Sequence, residues 1–81
     1  MINSFDDLSE TEAEVLEQLK RSYRGDETLD YPELRNFMGV SEDELLAALR
    51  HLQVEGLIKR DYADWSLTSR GRGFCDTYNI G

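Results

Sequence analysis

The chain has 81 residues, enough for one hydrophobic core and so for one domain, residues 1–81. With 40% hydrophobic and 10% aromatic residues it lies outside the range of disordered chains, and no apolar run approaches the roughly 18 residues of a membrane span, so a folded cytoplasmic protein with no membrane partner is expected. The net charge of −8 runs against nucleic-acid binding, since such proteins are more usually basic, and its distribution is uneven: residues 1–55 carry fourteen acids and five bases, residues 56–81 three acids and four bases, so any anion-binding surface belongs to the C-terminal third.

The opening Met-Ile-Asn-Ser-Phe-Asp-Asp has neither the basic start nor the apolar stretch of a secretory signal. A first amphipathic period runs from residue 8 to about 24, with Val15, Leu16, Leu19 and Tyr23 on one face. Ser9 and Glu12 form an S-x-x-E capping box with Leu8 ahead of it as a staple. Gly25 is expected to end the helix, placing Lys20, Arg21 and Arg24 at the negative end of its dipole. After the turn Gly25-Asp26-Glu27, the segment Asp30-Tyr31-Pro32-Glu33 predicts the start of a helix of about seven residues, with Leu34, Phe37 and Met38 inward and Gly39 as its stop. Ser41-Glu42-Asp43-Glu44 is a second S-x-x-E box, opening a helix to about residue 55 that buries Leu45, Leu49 and Leu52 and stops at Gly56.

From there the period becomes two. Residues 57–61 and 65–67 read as a hairpin joined by Tyr62-Ala63-Asp64, with Trp65 and Leu67 both facing the core. Thr68-Ser69 then caps a weak helix over residues 70–78, in which Gly71 and Gly73 each cost about 1 kcal/mol relative to alanine. Phe74 and Tyr78, four residues apart, pin it to the core. Cys75 is the single cysteine and His51 the single histidine, which excludes an internal disulfide and the multi-cysteine zinc patterns. Cys75 reads as an ordinary buried thiol and His51 as a helix-surface residue. No nucleophile and base pair, metal cluster or Gly-rich phosphate loop is visible, so the chain is read as a non-enzyme without metal or cofactor.

The order helix, helix, tight turn, helix, hairpin, and the stretch LRNFMGVSEDELLAALRHLQVEGLIKR in particular, resemble the winged helix-turn-helix domain of bacterial and archaeal transcription regulators such as the MarR group. LSETEAEVLEQL resembles the first helix of that family and WSLTSRGR its second wing strand, so the resemblance covers about residues 8–73. It implies a small α+β fold, three core helices plus a two-stranded wing and a short C-terminal helix, with residues 41–55 as recognition helix and 57–67 as wing. It further implies a regulator bound to double-stranded DNA, with Ser41, Arg50 and His51 toward base edges and Lys59, Arg60, Arg70 and Arg72 on phosphates. A homodimer goes with that reading, through Ile2 and Phe5 or through Phe74, Tyr78 and Ile80, because one short module covers little DNA.

The outward positions of residues 41–55 depart from the family. Glu42 and Asp43 repel phosphate, while Leu46 and Ala47 offer only apolar contact. Capping explains the acids and core packing would explain Leu46. If Leu46 is exposed instead, Glu42, Asp43, Leu46 and Ala47 describe a protein-interaction module for a basic partner, without DNA binding. The two readings separate on whether the four wing-side bases share one face and whether Leu46 is exposed. The arginine-rich, lysine-poor acidic surface is also compatible with a salt-rich cytoplasm.

Overall fold

The computed structural model describes residues 1–81. After a short 3-10 turn at Phe5–Asp7, the elements are α1 (Glu10–Lys20), β1 (Thr28–Asp30), α2 (Tyr31–Phe37), α3 (Glu42–Val54), β2 (Ile58–Asp61), β3 (Asp64–Leu67) and α4 (Ser69–Thr77). The fold is α+β, four helices against a three-stranded antiparallel sheet in the order β1-β3-β2.

Each helix starts where a side chain satisfies its orphan N–H groups. Ser9 Oγ accepts from the Glu12 amide at 3.1 Å and the Glu12 carboxylate accepts from the Ser9 amide at 2.8 Å. Asp30 and Glu33 exchange the same pair of bonds, at 2.8 and 2.9 Å, to open α2. Ser41 alone caps α3, through the Glu44 amide at 3.2 Å. Thr68 caps α4 through the Gly71 amide at 3.0 Å and donates its hydroxyl to the Gly56 carbonyl at 2.6 Å, which ties the start of α4 to the turn after α3.

The core is leucine-rich. Leu16, Leu19, Leu29, Leu34, Leu45, Leu49, Leu52 and Leu57 are sealed from solvent, each contributing about 1.5–3 kcal/mol of burial. Trp65 and Leu67 face the core, as alternation predicts, and Met38 is buried with them.

Three expectations are corrected. Helix α1 ends at Lys20, not Arg24: the Ser22 hydroxyl donates to the Thr28 carbonyl at 2.7 Å, and Arg24 is drawn to Glu33 at 2.7 Å and Asp64 at 3.3 Å, so the chain leaves the helix before Gly25. Tyr23 is therefore outside the core, set edge-on to Phe37 with ring centroids 6.1 Å apart. Phe37 is exposed rather than inward, because α2 stops there and the extended backbone of Met38 turns the next side chain in instead. The sheet has a third strand: residues 28–30 pair along β3, Thr28 with Ser66, Leu29 with Trp65 and Asp30 with Asp64. Three residues are too few to show a period of two. Their pairing makes β3 the central strand, and Ser66, flanked by Thr28 and Lys59, is buried with it.

Candidate macromolecule-binding face

Helix α3 turns one stripe to solvent. Asp43, Leu46, Ala47, Arg50 and Val54 recur at three- and four-residue spacing on the side opposite Leu45, Leu49 and Leu52. Leu46 is 40% exposed and Val54 76%, so Leu46 is not a second core leucine. At the helix start Glu42 lies 3.8 Å from Arg35, and the Ser41 oxygen serves as the cap. His51 turns aside from this stripe toward α1, where its Nδ1 meets the carboxylate of Glu12, a buried residue. That contact joins α1 to α3 and takes His51 away from the outer face.

The hairpin carries Lys59 and Arg60 on successive positions, so alternation sends them to opposite faces of the sheet. Lys59 stands opposite Ser66 in the register and Arg60 opposite Trp65, with the Arg60 guanidinium 5.9 Å from the Trp65 ring centroid. Arg60 Nε also donates to the Tyr62 carbonyl at 3.0 Å, bracing the tip. Tyr62 itself is 95% exposed at φ +59°, a left-handed backbone that tyrosine seldom takes.

The two arginines of α4 point to different neighbours. Arg70 donates to the Ile2 carbonyl at 3.2 Å, holding the N-terminal segment. Arg72 places Nε and a terminal nitrogen 2.7 Å from Glu27, which also receives Lys20 at 3.1 Å. Arg72, followed by Lys20, holds the Glu27 carboxyl below the usual glutamate range. The four wing-side bases thus do not converge as a single set, and Arg72 is neutralised within the chain.

Ion pairing divides the cations by location. Lys20, Arg21, Arg24, Arg35 and Arg72 each lie within 4.0 Å of a carboxylate. Arg50, Lys59, Arg60 and Arg70 have no carboxylate partner, and they sit on α3, β2 and the first turn of α4. Sequence reasoning missed Val54 and Tyr62, whose exposure depends on how far the helix and hairpin project past the core. It also missed the Arg24 cluster, whose partners Glu33 and Asp64 are distant in sequence. Cys75 is buried, and that burial pushes its thiol up to about 11, so it is no nucleophile at neutral pH. No group of three or more His, Cys, Asp and Glu side chains is placed to hold a metal ion. No helix is long and apolar enough to cross a membrane.

Comparison of the chain with protein-family models, with curated proteins and with solved structures gave no match.

Proposed function

We propose that the chain is a winged-helix DNA-binding module of the transcription-regulator type, with α2, the turn at Gly39-Val40 and α3 as the helix-turn-helix and β2–β3 as the wing. The order of elements supports the winged-helix reading, since the two strands of the hairpin follow α3 directly and α3 presents an outer stripe. The observation that carries the DNA reading is the division of cations: the four without carboxylate partners fall on α3, the hairpin and the adjoining start of α4, although Lys59 and Arg60 leave opposite faces of the sheet and Arg72 is taken by Glu27, so the wing-side bases do not form one face. Arg50 is placed for a base edge or phosphate, and Arg70 with one of Lys59 and Arg60 for the backbone. Glu42, Asp43 and Glu44 repel phosphate, so the contact is confined to the C-terminal half of α3 and the hairpin.

Three neutralised phosphates, with only one of Lys59 and Arg60 on the DNA-facing side of the sheet, give a slope of about −2.7 in log K against log salt, a loss of about 40-fold between roughly 50 and 200 mM. The test is an NMR shift titration of the labelled chain with a mixed-sequence duplex across that salt range. Shifts at Arg50, Lys59, Arg60 and Arg70 that fade with salt, and are lost in the double variant Lys59→Glu, Arg60→Glu, support the reading. A folded sample showing no shift at the lowest salt overturns it.

A second reading rests on Leu46, Ala47 and Val54, which share the outer stripe of α3. They suit a protein partner, with Glu42 and Asp43 meeting basic side chains at its edge. If the duplex gives no shift, this stripe is the surface on which to seek that partner.

A further inference from the structure

A groove runs along the outer side of α1, between the turn at Phe5–Asp7 and the residues after α4. It encloses about 540 Å³, within the range of small-ligand and peptide-anchor sites. Leu8, Ala13 and Ile80 contribute apolar surface, and Phe5 and Tyr78 border it with ring centroids 6.4 Å apart. Phe5 is 46% exposed and Tyr78 36%, a large aromatic surface to leave in water on so small a domain. None of the unpaired cations described above lines it.

Along the α1 side, Glu10, Glu14 and Glu17 follow one another at four and three residues, a single helical stripe. Glu17 is answered by Arg21 at 2.9 Å, whereas Glu10 and Glu14 have no cation within ion-pair distance. The stripe is about 10 Å long at roughly 1.5 Å per residue, the length of two helical turns.

We infer that this groove docks a cationic amphipathic segment of another protein, an aliphatic or aromatic anchor packing over the paired rings of Phe5 and Tyr78 and lysine or arginine side chains meeting Glu10 and Glu14. Charge selects the occupant. Nucleic acid and anionic lipid are repelled by the glutamate stripe, and a second copy of a chain with net charge −8 would set like charges together across a two-fold interface. Few apolar groups remain for self-association outside the groove, because Ile2 is already buried in the chain's own core and Phe74 packs against it.

The experiment is a shift titration of the labelled full chain with three synthetic peptides: a helix-forming one with lysines at four- and three-residue spacing flanking two leucines, its glutamate counterpart, and a lysine peptide without leucines. The first should give saturable shifts at Ala13, Glu14 and Tyr78. The second should give none, and the third should bind roughly tenfold more weakly or less. Glu14→Lys and Ala13→Arg should each weaken the first peptide by roughly tenfold while Trp65 fluorescence reports an unchanged fold. No saturable shift, equal binding of the leucine-free peptide, or shifts on α3 in place of the groove would each overturn the assignment. So would sedimentation showing a dimer that Ala13→Arg dissolves, since a second copy would then fill the groove.

Discussion

Gly71 and Gly73 lie two residues apart in α4 and have opposite reasons to be there. A Cβ on Gly71 would stand 1.9 Å from the Leu57 carbonyl oxygen, so the missing side chain is what lets α4 close on the start of β2. A Cβ on Gly73 would meet nothing within 4 Å. Gly71→Ala should therefore destabilise by about 1–3 kcal/mol through forced backbone displacement, whereas Gly73→Ala should stabilise by about 1 kcal/mol through helix propensity alone. Urea midpoints of the two variants against the parent check both signs. Cys75 gives a second residue-scale expectation. With its thiol pushed up by burial, it should stay unreactive toward a disulfide reagent at about pH 8 and react fully once urea unfolds the chain.

At the scale of elements, carboxylates do much of the joining. Glu33 closes the α2 cap and receives the Tyr23 hydroxyl and Arg24, Glu55 at the end of α3 receives the Ile2 amide, and Glu27 holds α4 through Arg72. All three carboxyls are held below the ordinary value: Glu33 by the Asp30 amide first and the Tyr23 hydroxyl next, Glu55 by the Ile2 amide, and Glu27 by Arg72. A group whose folded value is depressed contributes fully above its unfolded value, about 4.3, and loses that contribution as pH falls through the folded one. Stability should thus be level from about pH 7 to 5 with respect to these groups and fall below about 4.3. Urea titrations at a series of pH values read this, and Glu33→Gln should flatten the acid limb.

The whole molecule measures 28 × 26 × 20 Å and carries a net charge of −8, so its acids repel one another across the fold. The ion pairs oppose this only weakly, since exposed pairs are worth about 0–1 kcal/mol each. Raising salt from about 10 mM to about 0.15 M shortens the screening length from about 30 Å to about 8 Å, well inside the molecule. Net repulsion then falls by more than the pairs lose, and calorimetry should show a higher Tm in the saltier buffer. A lower Tm would mean that the Arg24 and Glu27 clusters outweigh the net charge. On the proposed DNA-binding reading, the same addition of salt should weaken duplex binding, so stability and duplex affinity should then move in opposite directions.

The four helices, the β2–β3 hairpin and the leucine core were legible because each depends on neighbours in the chain. Ser9, Asp30, Ser41 and Thr68 each cap a helix through the N–H group three residues on, and the spacing of Leu45, Leu49 and Leu52 names their buried face wherever the helix packs. Strand β1 was not legible, because three residues show no period and Thr28–Asp30 is a strand only by virtue of β3. The same holds at the candidate site. That Arg50, Lys59, Arg60 and Arg70 are basic is local information, and so is their place in the C-terminal part of the chain. Which arginines remain without a carboxylate was decided by contacts far apart in sequence: Glu27 takes Arg72, Glu33 and Asp64 take Arg24, and Glu12 draws His51 off the outer face. Local periodicity fixes what faces in or out on one element, whereas neutralisation of a charge depends on which other element the fold brings within a few ångströms.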